Sequence, residues 1–223
     1  MRALFTILQA ILGLVIIALA WWAAAALIQD PSKLPSLEAA LNRALQLATS
    51  DDYRQHTNAS VFVLLWGFLP AMIFGVLIGI LAGLSPVLRW LFGPLLMTLG
   101  AAPLIALMSM LLVWFGLGPN LTVIAVGLIT VFPVANAVMV SLSSRQGDIS
   151  LAVVRGLRWG VVLGATALVI CEMLTARSGA GTFIMNAGSQ FQTVDVAAGI
   201  MLVFVPVIAV AAILQAIEEQ LAA

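Results

Sequence analysis

Few residues in this chain could do chemistry, and their spacing narrows the choice further. Apart from Asp195 at the very start of the last apolar stretch, Glu172 is the one acid inside such a stretch. A carboxyl group at membrane depth is expensive and is often functional. It lies near the end of its stretch, where water or Arg177 is expected to reach it, so an interfacial role competes with a pathway or ion-pair role. Arg155 and Arg158 stand three apart and therefore share a helix face. They suit lipid headgroups, pairing with Asp148, or contact with a cytoplasmic partner, as does Arg145 nearby. Asn136 follows Pro133 within an apolar run, where an interhelical hydrogen bond is expected ahead of solute contact. His56 is flanked by Asp51, Asp52, Arg54 and Asn58, which reads as a solvated loop histidine. Cys171 is alone, so an intramolecular disulfide is impossible, and it reads as a small apolar residue inside a helix. There is no Ser–His–Asp set, no pair of intramembrane carboxylates, no phosphate loop and no nucleotide-binding fingerprint. The expectation is a non-enzyme with no catalytic residues, no cofactor and no metal.

The elements that carry these residues are set by composition. The chain has 223 residues, 63% of them hydrophobic and only 8% charged. A soluble domain is about 25% charged, and one of this size has too little interior to hide so many apolar side chains. The bilayer must be the main solvent. Formal net charge is zero and there is no basic tract, so nucleic acid is not a partner.

A membrane helix needs ~20 mostly apolar residues. Six stretches qualify: Leu4–Leu27, Val61–Gly83, Leu91–Phe115, Leu121–Leu142, Gly156–Leu174 and Val194–Ile217. The first, though preceded by Arg2, is too long for a signal-peptide core and reads as an uncleaved helix. With the N-terminus inside, the inner loops hold Arg2, Arg89, Arg145, Arg155 and Arg158, against Lys33, Arg43, Arg54 and Arg177 outside. This bias places both termini in the cytoplasm. Residues 36–50 carry Leu37, Leu41, Ala44, Leu45 and Ala48 at helical spacing, which predicts an amphipathic outer helix. The Gly- and Ser-rich stretch from Arg177 to Asp195 predicts a re-entrant outer segment packed on protein. Gly75 and Gly79 are spaced for close helix approach, either as ordinary bundle packing or as a subunit interface or pathway bend. Pro103, inside the third apolar stretch, is a further pathway candidate.

Taken in order, several short motifs carry a resemblance. They are Leu34-Pro35-Ser36, the run Gly75 to Ser85, Ala102-Pro103 followed by Trp114-Phe115-Gly116-Leu117-Gly118, Phe132-Pro133 with Asn136, Gly156-Leu157-Arg158, and Cys171-Glu172-Met173-Leu174 before Ser178-Gly179-Ala180-Gly181. The chain resembles inner-membrane permeases of binding-protein-dependent ABC importers, of the nitrate, sulfonate and taurine type, over nearly its whole length. The resemblance implies an all-α, polytopic bundle of six transmembrane helices, forming a single permease-like domain over residues 1–223. It implies a multi-pass protein of a bacterial inner membrane that works with other membrane subunits, a periplasmic binding protein outside and ATPase subunits inside.

One departure qualifies the last of these. Permeases of that type have a long cytoplasmic loop between their fourth helix and the Gly-Leu-Arg motif, with a Glu-Ala-Ala-x-x-x-Gly signature that grips the ATPase. Here the connection is residues 141–150, and the one Glu-Ala-Ala run, Glu38-Ala39-Ala40, lies in the predicted outer helix with Ala44 where the glycine would stand. Two functions lead: a small-solute permease subunit, with ATPase coupling put in question by the short connection, and a degenerate permease homologue retained as a structural or accessory subunit of another membrane complex. A third, an ATPase-independent channel or secondary carrier, is disfavoured by the scarcity of charge within the spans.

Overall fold

The computed structural model describes residues 2–100, 104–144 and 147–222. The described residues are almost wholly helical and contain no strand. Among the described residues, five helical stretches are long and apolar enough to cross a membrane. They are α1 (Arg2–Ile28), the continuous stretch Asp51–Leu84, α7 (Pro119–Leu142), α8 (Ile149–Thr175) and α10 (Thr193–Leu221). The expected third span, Leu91–Phe115, includes residues 101–103, which lie outside the described residues; α5 (Pro86–Gly100) and α6 (Leu104–Phe115) lie on either side of them.

The stretch Asp51–Leu84 shows how sequence shapes a membrane helix. It comprises α3 (Asp51–Val63), a π-turn (Leu64–Phe68) and α4 (Leu69–Leu84). Pro70 has no N–H and cannot bond back to Trp66. The preceding Leu69 N–H reaches five residues back to the Leu64 carbonyl, and the helix widens for one turn. Gly67 sits in that turn against α7, where a Cβ would lie 2.6 Å from the Val123 carbonyl oxygen.

Helix α7 is the centre of the bundle. Leu121, Ala125, Val126, Val134, Ala135 and Val138 are completely buried. Two glycine rows face it. On α4, Gly75, Gly79 and Gly83 lie against Val134, Ala135 and Leu142. On α8, Gly156, Gly160 and Gly164 lie against Val138, Val134 and Thr130. Lipid tails are as apolar as the helices, so association within a bilayer relies on close packing, which small residues permit. Gly75 and Gly79 are thus buried between two helices of the same chain.

The end of the bundle that carries α2, α3 and α9 is built from shorter elements. Helix α2 (Leu37–Thr49) begins where expected, with the Ser36 hydroxyl accepting the Ala39 N–H at 3.2 Å. Its Ala40, Ala44 and Leu47 are buried, and this face meets Tyr53, Phe183 and Ala198. Arg43 on its flank pairs with Asp195 at the start of α10. Helix α9 (Ala180–Ser189) falls in the stretch expected to pack on protein, and its Ala180, Gly181, Thr182, Ile184 and Ala187 are buried. Helix α1 is mostly exposed and is tied down by Trp21, whose ring N–H donates to the Pro35 carbonyl at 2.9 Å.

The packing predicts a sharp contrast between two glycines. A Cβ at Gly79 would lie 2.6 Å from both the Ala135 carbonyl oxygen and Val138 Cβ, whereas Gly13 on α1 has open space around it. Gly79→Ala is expected to destabilise the bundle by about 1–3 kcal/mol, and Gly13→Ala to leave it unchanged. Thermal unfolding of both variants in detergent checks this; equal stability would contradict the close approach of α4 and α7.

Candidate functional site

Two polar clusters lie at opposite ends of the bundle. The first is centred on Glu172, which is completely buried. This differs from the expectation that water or Arg177 reaches it; Arg177 is exposed and forms no ion pair among the described residues. Glu172 serves instead as the anchor of α9. Its Oε2 accepts the Gly181 N–H at 2.8 Å, and its main-chain carbonyl accepts the Thr182 hydroxyl at 3.0 Å. The first N–H groups of a helix lack intrahelical partners and carry partial positive charge, so a carboxyl group is a favourable acceptor there. Gly179 is required: its φ is +142°, and a Cβ would lie 2.6 Å from Glu172 Oε2. Glu172 Oε1 has no hydrogen-bond partner among the described residues.

Helix α3 completes this cluster. Ser60 Oγ accepts the Ala180 N–H at 2.8 Å. His56 is half-buried in the helix, which corrects the reading of a solvated loop histidine. Its Nδ1 lies 3.0 Å from the Gly179 carbonyl oxygen and 3.2 Å from the Gly179 nitrogen. A protonated Nδ1 donates to the carbonyl; a bare one accepts the amide. Its ring packs against Phe183, which also meets Tyr53 edge-on at 5.1 Å. The polar run Asp51–Asn58 hid this helix, because a loop and an exposed helical turn have similar composition. Cys171 is buried, as expected, beside Met108.

The second cluster joins α8 to α10. Arg155 Nε donates to Glu218 Oε1 at 2.7 Å, and its Nη1 donates to Ser141 Oγ at 3.2 Å. Arg158 Nε lies 3.0 Å from Glu218 Oε2, out of hydrogen-bonding alignment. The two arginines therefore pair with Glu218, whereas Asp148 caps α8. The Asp148 carboxylate accepts the Ser150 hydroxyl and N–H, each at 2.7 Å. The hydroxyl bond is the main reason that its pKa falls below the ordinary carboxylate range. Sequence reasoning missed Glu218 as the partner, since it lies some sixty residues along the chain.

Beside Arg155 an open cavity of about 560 Å³ lies between α5, α7 and α8. Asn136, Ser141 and Ser144 of α7 and Arg155 of α8 supply its polar wall. Asn136 is half-buried and makes no side-chain hydrogen bond among the described residues. The structure thus brings Asn136 and Arg155 to one site and leaves Glu172 at the other end. Pro103 and Arg145 lie outside the described residues. No group of three or more His, Cys, Asp or Glu side chains that could hold a metal occurs among the described residues.

The anchoring role of Glu172 is testable. Glu172→Ala would leave the buried Gly181 N–H without an acceptor, at a cost of about 1–3 kcal/mol. Glu172→Gln keeps an acceptor oxygen and should lose less. Thermal unfolding, together with amide exchange over residues 180–189, checks the order wild type, Gln, Ala. An alanine variant with wild-type stability and protection would contradict the anchor.

No protein-family model matches the chain. Among known proteins, it is 26% identical to the taurine transport system permease protein TauC of Escherichia coli (strain K12), covering 85% of this chain and 80% of that protein. It is also 26% identical to the putative aliphatic sulfonates transport permease protein SsuC of Bacillus subtilis (strain 168), covering 70% of this chain and 65% of that one. The first match runs over 219 positions yet takes in 85% of 223 residues, so about thirty of its positions have no counterpart here. The second, over 180 positions and 70% of the chain, leaves about two dozen unmatched. Motif order, the multi-pass helical bundle and these similarities agree: the chain is similar to transport permeases for taurine and aliphatic sulfonates, consistent with the nitrate, sulfonate and taurine type that its motifs resemble.

Proposed function

We propose that this chain is a permease-type subunit for passage of a small sulfonate-class solute across a bacterial inner membrane, and that it lacks the element through which such subunits are gripped by an ATPase. The observation that carries this reading is the connection between α7 and α8. Helix α7 ends at Leu142 and α8 begins at Ile149. No helix lies between them among the described residues, although the aligned relatives have stretches without a counterpart here. A specific stable interface buries about 1,200–2,000 Å² in total. A connection this short offers little of that area and no projecting helix.

The expected partners are further membrane subunits, in homo- or hetero-oligomers, and a periplasmic binding protein at the outer end, where α2, α3 and α9 form a packed platform. Both termini are placed in the cytoplasm by the arginine bias. A second reading, a structural or accessory subunit of another membrane complex, draws support from the inner cluster. Arg155 and Arg158, which would be candidates for holding a cytoplasmic partner, are both engaged with Glu218 inside the chain.

Reconstitution into vesicles with its neighbouring membrane subunits and a cognate ATPase tests the proposal. The expected result is no sulfonate-stimulated ATP hydrolysis dependent on this chain. Stimulated hydrolysis that is lost on replacing Ser143, Ser144, Gly147 and Asp148 with alanine would overturn it. Co-purification of a respiratory or photosynthetic assembly, rather than transport subunits, would favour the second reading.

A further inference from the structure

We infer that the cavity between α5, α7 and α8 is a binding site for an organic monoanion, with Arg155 meeting the oxyanion head and the apolar wall receiving the body. The inference rests on the proposed handling of a small solute and assigns the place where its charge is read.

Three observations converge on this cavity. Its volume of about 560 Å³ falls in the range of small-molecule sites. Its lining is mostly apolar, with Leu96 and Met97 of α5 and Trp159 and Leu163 of α8 facing a few polar groups. That is the composition expected of a site in which apolar surface gives affinity and a few polar groups fix orientation. Arg155, Trp159 and Leu163 are spaced four apart, so one face of α8 runs from a cation to an apolar strip.

The donor pattern favours an anion. Two guanidinium groups, Arg155 and Arg158, share one carboxylate, Glu218. Arg155 uses Nε on Glu218 and Nη1 on Ser141, and its Nη2 makes no hydrogen bond among the described residues. Glu218 can remain neutralised by Arg158 while Arg155 turns its free edge to a ligand. An arginine fork fits the two-oxygen edge of a sulfonate, carboxylate or phosphate. Asn136, whose amide is uncommitted among the described residues, supplies a neutral donor on the same wall. The glycine rows that fix α4 and α8 against α7 hold the α7 and α8 walls in place.

The same oxyanion chemistry is available from a free solute or from an anionic lipid headgroup, and the experiment separates the two sources. The chain is placed in nanodiscs of phosphatidylcholine and titrated with taurine and with butanesulfonate, followed by ligand-observed NMR. A second set of discs contains phosphatidylglycerol, and protein-bound lipid is counted by native mass spectrometry. Saturable binding is expected for at least one probe. Arg155→Gln should weaken it about tenfold or more, the loss expected for a charge-assisted contact, and Arg155→Lys should restore part. Arg158→Gln removes the cation that keeps Glu218 neutralised when Arg155 turns, and should weaken binding as well; Thr166→Val, which lines a different groove and touches neither Arg155 nor Glu218, should change it less than about threefold. Should Arg155→Gln fail to fold, Asn136→Leu and Val140→Trp, the latter filling the cavity, carry the same test. Competition between butanesulfonate and phosphatidylglycerol identifies a shared site, and saturation by the lipid alone assigns the site to a headgroup. Absence of saturable binding in folded wild-type protein, or equal binding by wild type and Arg155→Gln, overturns the inference. Solute binding without any uptake would overturn the transport reading and leave the site standing; uptake unchanged by Arg155→Gln would do the reverse.

Discussion

The rest of the structure depends on how closely α7 approaches its two neighbours. In a bilayer no hydrophobic force drives helices together, and stability comes from backbone approach and packing. Gly75 and Gly79 on α4 and Gly156, Gly160 and Gly164 on α8 remove the side chains that would keep α7 away. The three helices then behave as one block, because a slide of any one drives Val134 or Val138 into a facing glycine backbone. The π-turn at Leu64–Phe68 belongs to the same design, since it brings Gly67 against Val123 while Pro70 begins α4.

Polar latches close this block at both ends. Outside, Glu172 of α8 holds the start of α9, while His56 and Ser60 of α3 hold the same turn from the other side. A buried carboxyl group is tolerated because its partner is a helix N-terminus. Inside, Glu218 of α10 ties α8 through two arginines, and Arg155 extends the tie to Ser141 of α7. The bundle is polytopic and helical, and the charged groups of α8 and α10 at this end face each other. This is the arrangement on which the proposed function rests.

Much of this was legible in the sequence, for identifiable reasons. Long apolar runs gave the spans, because hydropathy and length alone decide whether a helix fits a bilayer. The start of α2 followed from Ser36 and a clear amphipathic period. The Gly156, Gly160, Gly164 row was visible as a four-residue repeat and was overlooked beside Gly75 and Gly79. The rest needed tertiary information. His56 sits in a segment whose composition fits loop or helix equally. Glu172 and Glu218 are ordinary acids until the fold shows that one faces an amide and the other two guanidinium groups.

The central claim is that a permease bundle is present and its ATPase-gripping element is not. The most direct measurement grafts onto this chain the connection between the corresponding helices of the Escherichia coli taurine permease, replacing residues 143–148. Binding of that system's ATPase to native and grafted chains in nanodiscs is then compared by surface plasmon resonance. The account predicts specific binding to the graft and none above background to the native chain. Binding of the native chain with an affinity equal to that of the graft would contradict it.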